Sequence, residues 1–193
     1  RVKNNAYIIK QDTKEHKVVE NKFDYKLINK KQELESLIEK ISKKGFCAID
    51  TETNSLNIES ALLVGISLCY EEQTSYYIPI NHTSIDGSKK IENQLEEKYV
   101  INQIHKISNN DAILKIGQNI KYDIRILNKY GVYFKSIADT MLISYSIDNG
   151  IYKHNLDDLS FNHLNHTTIK YKDLVGTGKN EITFDKVSIK DAV

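Results

Sequence analysis

The chain has no tryptophan, one proline and two cysteines in 193 residues. The scarcity of Pro and Trp, beside many Lys, Ile and Asn, reflects compositional bias rather than a function. Cys47 and Cys69 fall in apolar, strand-like runs with no partner at metal-ligand spacing, so buried free thiols in a reducing cytoplasm are expected. No apolar run approaches the ~20 residues that cross a bilayer, and the amino terminus has no signal-peptide pattern. No charge dominates either: 27 Lys and Arg face 26 Asp and Glu, a net +1. That balance argues against a protein that grips long duplex DNA by charge alone. No Gly-x-Gly-x-x-Gly or Walker-type loop follows any strand, and Gly176-x-Gly178-Lys179 is too short to act as one. Internal repeats and low-complexity tracts are also missing.

What remains is a composition with 40% hydrophobic and 27% charged residues, that of a globular chain of about one domain with a real core. Residues 1–22 are polar and weakly patterned, and read as an arm or linker before a domain spanning 23–193. Tyr25–Ile28 reads as a short edge strand. Leu34, Leu37, Ile38 and Ile41 recur at helical steps over Lys31–Lys43, and Gly45 stops that helix. Strands follow at Phe46–Asp50, Ala61–Tyr70 and Thr74–Ile80, the last two joined as a hairpin through Glu71-Glu72-Gln73. A helix is expected over Ile91–Ile107, a strand over residues 112–117, a helix over about Ile120–Tyr130 and a short strand at Ile137-Ala138. Helices near Thr140–Ile147 and Leu156–Leu164 come next. Lys170–Thr183 reads as a loop with its tip at Gly176–Asn180, and Ser188 as the N-cap of a last helix. The order predicts an α/β fold on a mixed sheet.

The candidate chemistry sits in Asp50-Thr51-Glu52-Thr53-Asn54, directly behind the apolar run Phe46–Ile49. Open α/β sheets place their ligand sites at the carboxyl ends of strands. Side chains two apart on a strand point the same way, so Asp50 and Glu52 converge. Two close carboxylates are comfortable only with a cation between them. Asn119 and Asp123, four apart at a helix start, share a face. If the strand feeding that helix neighbours Phe46–Asp50, Asp123 joins the pair. Three acids at one sheet end suit Mg²⁺ or Mn²⁺, since oxygen-only ligands favour hard cations. Taken singly, each has a plainer account: a polar turn after a strand, or an acid favoured by the helix dipole. Asp139 and Asp157-Asp158 fit the dipole account. His163 and His166 read as surface residues rather than a zinc pair, and His154 as a cap or surface residue.

Several stretches together resemble the 3′–5′ proofreading exonuclease domain of bacterial DNA polymerase I, the family-A replication and repair polymerases. They are Asp50–Leu56, Leu63–Ser67, Tyr77-Ile78-Pro79-Ile80, Gly117–Asp123, Ala138–Leu142 and Gly178-Lys179-Asn180-x-x-Thr183-Phe184. The acid motifs alone fit any DEDD exonuclease, ribonuclease D included. The Tyr-Ile-Pro-Ile and Gly-Lys-Asn-x-x-Thr-Phe stretches resemble polymerase I in particular.

The resemblance implies a ribonuclease H-like fold with a mixed five-stranded sheet and helices on both faces. It implies two divalent ions, Mg²⁺ or Mn²⁺, with Asp50 bridging them, Glu52 on one and Asp123 on the other. Such ions, ~3.5–4 Å apart, clamp the scissile phosphate. Leu56 matches the position that presses on the terminal base, and Thr53, Asn119 and Tyr122 match positions around a single-stranded DNA 3′ end. A polymerase domain in the same parent chain is the implied partner. The rival readings are a ribonuclease D-like exoribonuclease and a non-catalytic spacer; the presence of all three acids argues against the latter. The family completes its site with a Tyr-x-x-x-Asp that does not occur in residues 1–193. Cleavage by these residues alone is therefore expected to be weak or absent.

Overall fold

A computed structural model describes residues 23–148 and 153–193. The expected arm, residues 1–22, lies outside the described residues. Among the described residues, six strands form one mixed sheet in the order β1-β4-β3-β2-β5-β6. They are β1 (Asp24–Leu27), β2 (Phe46–Thr53), β3 (Leu63–Glu71), β4 (Thr74–Pro79), β5 (Leu114–Gly117) and β6 (Ile137–Asp139). The β2–β3 and β3–β4 pairs are antiparallel; β1–β4, β2–β5 and β5–β6 are parallel. The five strands implied by the resemblance are thus six. The sixth is the edge strand β1, which pairs with β4 through Asp24–Leu27.

One face of the sheet carries the main core. Helix α1 (Lys31–Lys44) buries Leu34, Leu37, Ile38 and Ile41, and Gly45 ends it at φ 81°, a left-handed conformation that favours glycine. Helix α2 (Glu97–Ser108) buries Val100, Ile104 and Ile107 beside it. It starts at Glu97 rather than Ile91. Residues 91–96 are instead held as a loop, where Gln94 pairs with the backbone of His82 (2.8 and 2.9 Å) and Leu95 is buried without being helical. The 3.6-residue spacing of its apolar positions is therefore partly a loop's anchoring points. Helix α3 (Lys121–Asn128) adds Ile126 and Leu127 to the same core.

The second face is covered by a smaller cluster, Val64, Val175, Phe184 and Val187. Glu52 pairs with Gly65 and Thr53 with Leu63, which leaves Val64 as the extra residue of a bulge. Its carbonyl accepts from Ile80 N and Asn81 N at 2.9 and 3.0 Å. Helices α4 (Thr140–Ile147) and α5 (Leu156–Leu164) flank this face, followed by α6 (Tyr171–Val175) and α7 (Ile189–Ala192). The expected loop over Lys170–Thr183 therefore contains α6 and a 3-10 turn at Gly178–Asn180. Pieces this short carry too few positions for a periodic signal. Cys47 is buried as expected, whereas Cys69 is half-buried, because it lies towards the end of β3 on the more open face.

Candidate active site

Strand β2 delivers the first two acids. Cys47, Ile49, Thr51 and Thr53 point into the main core, so Asp50 and Glu52 stand on the opposite face. A groove of about 310 Å³, lined by Ala48, Asp50, Ser67, Cys69, Ile116 and Leu156 among others, opens beside Asp50.

Asp123 arrives from α3. Strand β5 pairs with β2 only through Phe46, Cys47 and Ala48. Beyond that point the edge of β2 has no strand partner, and the Asp123 carboxylate takes its place. Thr51 N–H donates to Asp123 Oδ1 at 2.8 Å and Thr51 Oγ1 donates to the same oxygen at 2.6 Å. A backbone amide that would be orphaned next to a buried strand is thus satisfied by an acid 72 residues further on. The contact puts Asp123, itself 3% exposed, beside the residue that separates Asp50 from Glu52.

The three carboxylates feel one another. Asp50 keeps an open side to solvent, yet the surrounding protein, followed by the Asp123 charge, pushes it up to about 7. Burial, then Asp50, then Asp123 push Glu52 up to about 7. Asp123 is raised by burial, against which its two hydrogen bonds from Thr51 work. Among the described residues neither Asp50 nor Glu52 accepts a side-chain hydrogen bond, and no three Asp, Glu, His or Cys side chains are gathered closely enough to cage an ion. Asp50 and Glu52 share one face at this end of the sheet. Three like charges repel, and one oxygen of Asp123 is committed to Thr51. Donor chemistry and mutual charge fit divalent cations held by Asp50, Glu52 and Asp123.

Around the acids, Tyr122 hydroxyl donates to Ser55 O at 2.8 Å and lies 2.7 Å from Thr53 Oγ1, so these residues share one wall. Leu56 stands out from the next loop, 86% exposed. Asn119 does not share a helical face with Asp123: it precedes α3 with φ 55°. Its side-chain oxygen is buried without a hydrogen-bond partner among the described residues.

Asp139 fixes that turn. Its Oδ1 accepts from Asn119 N (3.0 Å), Met141 N (3.0 Å) and Leu142 N (3.4 Å), and its Oδ2 from Ile120 N (3.1 Å). One carboxylate therefore caps the starts of α3 and α4 together. The sequence marks Asp139 only as a first-turn acid, since a cap shared between distant segments leaves no local signal. Thr51 was missed for the same reason. His154 has its Nδ1 2.9 Å from Ser144 Oγ and its carbonyl accepting from Gln118 Nε2. His163 is exposed and His166 packs edge-on against Phe23.

The 3′–5′ exonuclease family of DNA polymerase A matches residues 25–189. The chain belongs to that family. It is similar to DNA polymerase I of Rhizobium leguminosarum, 38% identical over 161 residues, covering 77% of this chain and 16% of that protein. It is also similar to DNA polymerase I of Borreliella burgdorferi, 37% identical over 171 residues, covering 87% of this chain and 17% of that protein. The exonuclease domain thus spans about a sixth of those relatives' lengths.

Solved structures share its fold. Escherichia coli RNase D superposes with a TM-score of 0.57 at 16% identity, over 78% of this chain and 36% of that one. Brucella melitensis NrnC with bound Mg²⁺ gives 0.54 at 19% identity, over 77% and 64%. The ribonuclease H-like expectation holds, with the extra edge strand noted above.

Proposed function

We propose that this exonuclease domain removes nucleotides from the 3′ end of a single DNA strand and serves a polymerase domain in the same parent protein. The observation that carries the proposal is the Thr51–Asp123 pairing, which ties an acid of α3 to the strand that bears Asp50 and Glu52.

In this reading Asp50, Glu52 and Asp123 hold two divalent ions, Mg²⁺ or Mn²⁺. When bound, such ions supply an activated water and neutralise charge on the phosphate and leaving oxygen. The protein's own contribution is positional. Thr51 holds Asp123 at the strand edge by two hydrogen bonds to one carboxylate oxygen. Asp50 and Glu52, raised to about 7 by burial and then by neighbouring acid charge, Asp123 on the first and Asp50 with Asp123 on the second, are relieved by cations and not by protein donors. Leu56, exposed on its loop, offers an apolar surface for the terminal base, and base stacking of this kind needs little net charge. Thr53, Tyr122 and Asn119 line the path of the strand end, and the unpaired oxygen of Asn119 is an acceptor available to a nucleotide amine or hydroxyl.

The domain is taken to run from Phe23, with residues 1–22 as its arm. A cytoplasmic setting accords with two free thiols, and no helix among the described residues is long and apolar enough to cross a membrane. Residues 1–193 contain three of the four acids that the resemblance implies, so we expect slow or no cleavage from them alone.

The test is a 5′-labelled oligonucleotide, offered as DNA and as RNA of the same sequence, with Mn²⁺ or with chelator. Ion-dependent shortening of the DNA strand, reduced at least about 100-fold by Asp50→Ala or Asp123→Asn, is expected. Faster shortening of RNA would favour the ribonuclease D-like alternative. Cleavage that persists in chelator would sink the metal site.

A further inference from the structure

The two stretches that most resemble polymerase I, Tyr77–Ile80 and Gly178–Phe184, contribute no acid to the site. In the fold, the segments that carry them meet at one joint. Its centre is His82, fully buried just past β4. His82 Nδ1 lies 2.9 Å from Val187 O, and Nε2 lies 2.7 Å from the Tyr77 hydroxyl. A carbonyl can only accept, so Nδ1 carries the proton and Nε2 accepts from the phenol. The imidazole therefore has one tautomer with both nitrogens used.

Each side of the joint is braced. Gln94 pairs with both backbone groups of His82, and Thr83 N–H donates to Asp185 O at 2.7 Å. Thr83 Oγ1 donates to Asp185 Oδ2 at 3.1 Å, and the His82 ring lies 6.0 Å from that of Phe184. On the other side the Tyr77 phenol occupies the space above Gly65. A Cβ there would stand 2.1 Å from the Tyr77 hydroxyl oxygen. Gly65 is the residue directly opposite Glu52 on β3, and directly opposed residues share a face. The Tyr77 hydroxyl thus stands where the cross-strand neighbour of Glu52 would be.

We propose that Tyr77 and His82 are a positioning pair that registers the segment Phe184–Val193 against the Glu52 face of the sheet. One bonded line runs from Val187 O through the imidazole to the phenol, and the phenol stands beside Glu52. Neither residue touches substrate in this arrangement; both act through Glu52 and through the segment that ends in α7. The joint makes a distinct demand on each ring nitrogen, which simple filling of a core would not.

Amide hydrogen exchange on the intact protein tests this without any substrate. Asparagine places its amide nitrogen near the position of Nδ1, whereas glutamine reaches the position of Nε2. His82→Asn keeps the donor to Val187 O; His82→Gln keeps the partner of Tyr77 and leaves that carbonyl unpaired. Exchange across residues 186–193 is expected to accelerate about tenfold or more in His82→Gln, with β2 and β5 amides unchanged. His82→Asn should stay within about twofold of the parent. Equal behaviour of the two variants, or acceleration spread evenly through β2, β5 and residues 186–193, would overturn the proposal.

A second arm rests on the exonuclease reading: Tyr77→Phe and His82→Gln should lower kcat about tenfold with KM changed less than about twofold. An exchange response with unchanged kcat would also overturn the positioning role. If the parent protein itself fails to cleave, exchange alone decides the joint.

Discussion

Glu52 illustrates how a single side chain carries a cost that the fold does not relieve. Its carboxyl is pushed from 4.5 up to about 7 by burial and by the charges of Asp50 and Asp123. A carboxyl raised on folding is fully compatible with the native state below its unfolded value and opposes it as pH rises through the folded value. Glu52→Gln in ion-free buffer should therefore raise Tm by about 2–4 °C at pH 8. The gain should shrink through the interval from about 7 down to 4.5 and vanish below it. Saturating Mn²⁺ should erase or reverse the difference, because ion binding stabilises only the parent. Calorimetry across pH with and without Mn²⁺ checks both parts; a gain independent of pH would refute the charge argument.

Thr51 is the complementary case. Removing its hydroxyl by Thr51→Val withdraws one of two donors from a buried acid, at a cost of about 1–2 kcal/mol in denaturant titration. The backbone donor remains, so the fold should survive and Mn²⁺ binding should weaken. Asp50, Glu52 and Asp123 were legible as candidates because acids behind an apolar strand and at a helix start leave a local trace. Thr51 was not, since its partner is 72 residues away.

Among the elements, α3 owes its placement to two carboxylates, one its own and one from β6. Asp139 receives amides from the starts of both α3 and α4. Asp139→Ala should cost about 2–3 kcal/mol, more than an ordinary cap at about 1, because two helices lose their acceptor together. Equilibrium denaturation measures it, and a loss under about 1 kcal/mol would show the shared cap to be idle.

Gly117 limits the same turn from the other side, since a Cβ there would lie 2.7 Å from Ile120 Cγ1. The helix and strand types were readable from periodicity and stop residues, as at Leu34–Ile41 with Gly45. The start of α2 was not, because Ile91 and Leu95 fit a helical spacing while serving a loop pinned through Gln94. The five-residue α6 was equally silent, being shorter than the stretch over which amphipathicity declares itself.

For the molecule as a whole, near-neutrality sets how it can hold a nucleic acid. With a net charge of +1 the chain has little to gain from releasing counterions. Affinity for a short single strand in chelator should therefore change with salt at a slope of roughly −1 to −2 in log K against log salt. Leu56→Ala should weaken that binding about tenfold at every salt concentration, as loss of a stacking surface would. Fluorescence anisotropy over a salt series distinguishes the two effects. A steep salt slope would indicate a charged binding surface that the composition does not suggest.

Local chemistry along the chain determined the element types, the acid motifs and the family, because apolar spacing, glycine stops and short polar signatures act over a few residues. The capture of Thr51 by Asp123, the double cap at Asp139 and the Tyr77–His82–Val187 line were decided only by tertiary structure. Each is a hydrogen-bonding need of one segment met by another from which it is far removed in sequence, and no window on the chain contains both partners.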